Sequence, residues 1–155
     1  FLPNFNIEQV MSLVAKNKEE KCEIIFSHSS YEPRKNWMSV ELTETFRFPC
    51  IYAMNKEGIV FRYSNKNDLG HFGIPKVIVN GALYPYPLND FDGKFGMCQN
   101  IFGIKVGSKE EADGIVCALN SEKFGAILTA TKWSNFQIDY RMFKYFRRDF
   151  WKSFV

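Results

Sequence analysis

At 155 residues and 17% aromatic, with 16 Phe, the chain is long enough to bury a sizeable core, so one domain, or one domain with a short leading segment, needs neither disulfides nor metal to fold. A net charge of +3 excludes the strongly basic surface of a histone-like protein. No run approaches the roughly 18 apolar residues of a membrane span, and no basic region followed by an apolar run marks the amino end, so the expected location is intracellular and cytoplasmic.

Asn6 is placed to cap a helix over about residues 7–17, where Ile7, Val10, Met11 and Val14 recur at helical spacing. Cys22–Ser27 reads as a short buried strand, and His28–Ser39 as an irregular loop in which Pro33 rules out a helix interior. Arg47–Met54 and Ile59–Ser64 are β-rich runs joined by Asn55-Lys56-Glu57-Gly58, a hairpin signal. The region 65–100 is rich in Gly, Asn, Asp and Pro and holds one clear strand, Lys76–Asn80. Tyr84-Pro85-Tyr86-Pro87 is expected to be extended, because a residue before proline is pushed out of the right-handed helical region. Ile101–Val106 makes another strand. Ser108-Lys109-Glu110-Glu111 then has capping-box spacing and starts a helix with the apolar stripe Ala112, Ile115, Val116 and Leu119. Further helices are predicted over Glu122–Thr129 and about Tyr140–Phe154. Strands first and helices concentrated in the C-terminal third predict an α+β domain with a small mixed or antiparallel sheet.

Cys22, Cys50, Cys98 and Cys117 are 28, 48 and 19 positions apart, with no Cys-x-x-Cys pair. That usage fits reduced, buried thiols and no structural zinc.

Charge and aromatic character gather late in the chain. Residues 132–155 carry six basic side chains against Asp139 and Asp149, a local excess of +4. On the predicted terminal helix, Arg141, Lys144, Arg148 and Lys152 share one face, and Phe143, Phe146, Phe150 and Phe154 lie about 200° away. The cationic face is read as a phosphate contact, and its truncation at Arg148 is expected to weaken binding to all sequences and flatten the salt dependence. Before it, Lys132-Trp133-Ser134-Asn135-Phe136-Gln137 combines a cation, a flat ring and two amides. Asn135 and Gln137 have the donor and acceptor needed to pair with adenine edges. Arg34-Lys35-Asn36-Trp37 repeats this chemistry in a loop, and Lys76 opens a strand after Gly73-Ile74-Pro75. The DNA-binding set is therefore Arg34, Lys35, Asn36, Trp37, Lys76, Lys132, Trp133, Asn135, Gln137, Arg141, Lys144 and Arg148.

No comparable catalytic set is present. His28 among Ser27, Ser29 and Ser30 is not a triad, and His71 between Gly70 and Phe72 reads as a loop hydrogen-bonder. Asp92-Gly93-Lys94, with Asp90, meets the carboxylate-x-Lys spacing of metal-dependent nucleases, which makes a small nuclease the enzymatic alternative. The same residues fit an ordinary turn, and no metal site is predicted. A second alternative is a protein-interaction domain that docks through Phe150, Trp151 and Phe154.

The strand Phe102-Gly103-Ile104-Lys105-Val106, the helix from Ser108 and its closing Ala118-Leu119-Asn120-Ser121 resemble the target-recognition region of N6-adenine DNA methyltransferases of restriction-modification type. Gly70-His71-Phe72-Gly73-Ile74-Pro75-Lys76-Val77-Ile78-Val79-Asn80 is similar to the Pro-Lys-apolar strand that many of these enzymes carry after their catalytic domain. The likeness spans roughly Arg47 to Val155. The family's aromatic-x-Gly-x-Gly cofactor turn and Asn/Asp-Pro-Pro-aromatic loop do not occur, and Tyr84-Pro85-Tyr86-Pro87 lacks the amide and the consecutive prolines.

The resemblance therefore implies a non-catalytic module that reads double-stranded DNA in the nucleoid. Residues 47–155 would form the recognition domain, and residues 1–46 a leading helix, strand and loop that join it to a methyltransferase domain of the same polypeptide. S-adenosylmethionine would bind in that other domain, where the extruded adenine is methylated. The start at Phe1, rather than Met, fits a piece of a longer polypeptide.

Overall fold

The computed structural model describes residues 13–16, 19–27, 29–81, 85–98, 100–131 and 143–154. Among these, the order is β1 (Ile24–Ile25), β2 (Met38–Ser39), β3 (Phe48–Asn55), β4 (Gly58–Ser64), β5 (Lys76–Asn80), β6 (Leu88–Asp90), β7 (Gly96–Met97), β8 (Ile101–Lys105), α1 (Lys109–Leu119), α2 (Glu122–Thr131) and a terminal 3₁₀ turn, Phe150–Phe154. One sheet runs β1-β8-β5-β6 and is antiparallel throughout. The other runs β2-β4-β3-β7 and is mixed, because β3 and β7 pair in parallel. The fold is α+β, with the described helices late in the chain.

β5 holds the two sheets and the helices together, and every residue in it is buried. Successive side chains of a strand point to opposite faces. Val77 and Val79 accordingly join the cluster formed with Phe102, Ile115, Leu119, Phe124 and Phe143, while Ile78 joins Ile51, Met54, Met97 and Ile101 between the sheets. Each such aliphatic side chain contributes on the order of 1.5–3 kcal/mol by burial. A third cluster, Tyr31, Met38, Cys50 and Cys98 with Trp37, Leu69 and Phe72 against it, packs around β2 and β3.

The capping prediction at α1 holds, with one adjustment. Ser108 Oγ accepts the Glu111 amide at 3.1 Å, but the Glu111 carboxylate reaches back to the Gly107 amide at 2.8 Å rather than to that of Ser108. Ser121 then ends one helix and begins the next: its hydroxyl donates to Ala118 O at 2.7 Å and accepts the Phe124 amide at 3.2 Å. The β3–β4 hairpin closes through Asn55 paired with Gly58, with the Glu57 amide bound to Asn55 Oδ1 at 2.9 Å.

Four expectations are revised. The continuous helix over 140–154 is interrupted: Phe146 and Arg147 pair antiparallel with Val14 and Lys21, and a 3₁₀ turn follows. Phe143, Phe146 and Phe150 are buried, as the apolar stripe required, but only Phe143 is helical, and a strand-like pair and a tight turn deliver the other two to the core. The expected first helix lies outside the described residues except at 13–16, which are non-helical, because Val14 is committed to Phe146. Tyr86 is not extended but sits at φ 38°. The Pro85 carbonyl accepts the Asn80 amide at 2.8 Å and Tyr86 packs on the Ile51–Ile78 cluster, which together hold a left-handed backbone at Tyr86, while Tyr84 lies outside the described residues. The short strands β6 and β7 add to a region in which the sequence predicts one strand, Lys76–Asn80.

Candidate nucleic-acid interface

A buried ion pair lies at the first residue of β5. Antiparallel pairing sets Lys76 opposite Asp90, and Lys76 Nζ lies 2.7 Å from Asp90 Oδ2 and 2.7 Å from the His71 carbonyl. The remaining Asp90 capacity is taken by the amides of Lys94 at 2.8 Å and Phe95 at 3.2 Å. Burial pushes the Lys76 ammonium below its ordinary range, and its bond to Asp90 opposes that fall. The loops carrying these groups touch backbone to backbone: Gly73 N–H bonds Gly93 O at 2.8 Å, and a Cβ on Gly93 would lie 2.7 Å from the Gly73 backbone.

His71, buried at φ 67°, accepts the Met97 amide on Nδ1 at 3.1 Å. The neutral ring therefore carries its proton on Nε2 and donates it to Ser27 Oγ at 3.0 Å. Burial, assisted by the Lys76 charge, lowers the His71 pKa to about 4. A ring already donating to the serine oxygen cannot take that oxygen's proton, so Ser27 and His71 do not form a nucleophile and base pair. Asp90 is similarly committed, which removes the first carboxylate from the nuclease alternative. Asp92 and Lys94 form only an exposed contact at 3.9 Å.

Lys76 is thus a structural cation and leaves the DNA-binding set, because its ammonium has no path to a phosphate. Arg148 is also engaged, with Nε and Nη2 each 3.3 Å from the Glu111 carboxylate and Nη1 3.5 Å from Glu20. Those carboxylates hold its pKa above the ordinary range and occupy the guanidinium assigned to phosphate. Lys144 is exposed, beside the buried Phe143. Lys132, Trp133, Asn135, Gln137 and Arg141 lie outside the described residues. Phe150 is fully buried, so the aromatic docking surface proposed for an interaction domain loses its leading residue to the core.

The Arg34–Trp37 loop remains at the surface and gains neighbours. The Trp37 indole N–H donates to Ser30 O at 2.9 Å, and the Trp37 carbonyl accepts the Asn65 amide at 3.0 Å, so loop and ring are fixed at both ends. Lys66 Nζ lies 5.0 Å and Lys35 Nζ 5.8 Å from the indole centroid. Arg34, 88% exposed, pairs with Glu32 at 2.6 Å, and Asn36 is exposed. Two more basic–aromatic pairs lie on the same sheet: Arg62 4.3 Å above Tyr52 and Arg47 4.9 Å above Phe48. No local motif in the sequence singles out Lys66, Arg47, Arg62 or Tyr52. Lys66 lies two residues past the end of β4, and the β2–β4 register brings it to Trp37.

No family model, curated protein or solved structure matches the chain. Among the described residues, no helix is long and apolar enough to cross a membrane.

Proposed function

We propose that this chain is a sequence-specific double-stranded DNA-recognition module without a catalytic site of its own. In its specific form it is the target-recognition part of an S-adenosylmethionine-dependent N6-adenine DNA methyltransferase of the cell interior, working beside the methyltransferase domain of the same polypeptide. The observation that carries the reading is the convergence of Lys35 and Lys66, from separate segments, on the anchored Trp37 ring, next to the exposed Arg34 and Asn36. Such a site supplies cations for phosphates and an amide for base edges, with a ring face on which a sugar or base can rest. The methyltransferase assignment adds the resemblance of residues 70–80 and 102–121 to recognition regions of that family. In this reading the cofactor and the extruded adenine belong to the other domain.

Fluorescence anisotropy with a pool of random duplexes, followed by selection and sequencing of the bound fraction, tests the reading. Salt-sensitive binding that enriches a defined site, and that weakens in Trp37→Ala and Lys66→Ala, is expected. Absence of duplex affinity at low salt overturns it.

A further inference from the structure

Beyond the tip of the β3–β4 hairpin, a cavity of about 290 Å³ lies among Met54, Asn55, Ile59, Tyr86, Leu88 and Asn120. Three separate parts of the fold build it: the hairpin, the Tyr86-Pro87 segment and the C-cap of α1. Its volume falls just below the roughly 300–1,000 Å³ of ligand sites and suits a single ring system. Met54 and Leu88, which belong to the inter-sheet cluster, give it an apolar side. Tyr86 supplies an aromatic wall and is held at φ 38°, a conformation that costs a bulky residue on the order of 1–3 kcal/mol and survives only where the surroundings enforce it. Asn55 and Asn120 bring side-chain amides from two elements. Asn55 Oδ1 is occupied by the Glu57 amide, which leaves its NH₂ as the donor, whereas Asn120 offers donor and acceptor together. Among the described residues that line the cavity, none is charged.

An open depression lined by apolar side chains, one aromatic ring and two amides, with no cation or carboxylate, matches an uncharged heteroaromatic ring whose edge forms hydrogen bonds. A phosphate or an ammonium ion would be left without a counter-charge. We infer that this cavity binds a single nucleobase, against the Tyr86 ring and hydrogen-bonded through Asn55 and Asn120, either as a free nucleoside or as an unpaired base of a duplex other than the adenine that is methylated. The second source rests on the DNA-recognition reading above, and the first does not.

The test follows the side-chain amide NMR signals of Asn55 and Asn120 while deoxyadenosine or deoxycytidine is added to the whole chain. In parallel, affinities are compared for a paired duplex and the same duplex with one unpaired base. Asn120 is exposed at φ −88°, which alanine adopts freely, so Asn120→Ala keeps the fold. At least one nucleoside is expected to shift both amides. The unpaired-base duplex is expected to bind about tenfold more tightly than the paired one, and Asn120→Ala should abolish that preference while leaving paired-duplex affinity unchanged. Amides unmoved by both nucleosides and by the unpaired-base duplex overturn the inference, even where the paired duplex binds. Amides shifted by a nucleoside in a chain with no duplex affinity support the nucleobase site and overturn the DNA reading instead.

Discussion

The Lys76 ammonium and the Asp90 carboxylate lie 2.7 Å apart across neighbouring strands, with side-chain exposures of 0% and 2%. Neither charge reaches solvent, so each depends on the other. Lys76→Met leaves the carboxylate with two backbone amides and no counter-charge, and is expected to destabilise the fold by about 3–5 kcal/mol. Replacing both, Lys76→Met with Asp90→Asn, removes the stranded charge and should recover part of that loss. Urea unfolding of the three proteins measures the difference, and a double variant as unstable as the single one would show that the hydrogen bonds, rather than the charge, dominate.

His71 makes stability depend on acidity. Its folded pKa of about 4 lies below the ordinary 6.5, so between these values the unfolded chain binds more protons than the native one. Stability therefore rises with pH through this window; the contribution is fully present above about 6.5 and is lost as pH falls toward 4, amounting to about 3 kcal/mol. His71→Asn, chosen because asparagine tolerates the positive φ, should flatten the curve of urea midpoint against pH between 4 and 6.5. An unchanged slope in the variant would assign the acid sensitivity to other groups.

Gly114 in α1 faces the Trp151 ring so closely that an added Cβ would lie 2.3 Å from ring carbon. Alanine gains up to about 1 kcal/mol in helix propensity over glycine, but the rigid indole cannot yield without moving the terminal turn off α1. Overpacking of this kind costs about 1–3 kcal/mol, so Gly114→Ala is expected to lower the Tm despite its better propensity. A raised Tm would mean that Trp151 relocates at little cost.

Much of this fold is legible in the sequence wherever one local rule decides the outcome. Lys76–Asn80, the Asn55–Gly58 turn and the Ser108 cap each follow from a few adjacent residues. The terminal segment departs from the predicted helix because its phenylalanines, spaced by three and four, satisfy a helix stripe, while Phe146 and Arg147 are claimed by backbone partners Val14 and Lys21, over 120 residues earlier. Pairing at that separation leaves no local trace. The same limitation affected the candidate site: Arg148 looked like a free cation until Glu20 and Glu111 were brought to it, and Lys66 looked unremarkable until β2–β4 pairing set it beside Trp37.

That exchange of roles between Arg148 and Lys66 separates two kinds of basic residue. Arg148 is one-third exposed and bridges two carboxylates, so Arg148→Ala should cost about 1 kcal/mol of stability. It should leave the salt dependence of duplex binding intact, because no phosphate competes for a guanidinium already shared by Glu20 and Glu111. Lys66 is exposed beside an anchored ring, and its loss removes one phosphate contact, so the slope of log K against log salt should become shallower by about 0.9. Titrations of both variants over a salt series, together with their urea midpoints, place each residue. If Arg148→Ala flattens the slope as much as Lys66→Ala, the arginine leaves its carboxylates when DNA binds, and the basic surface extends to the terminal segment.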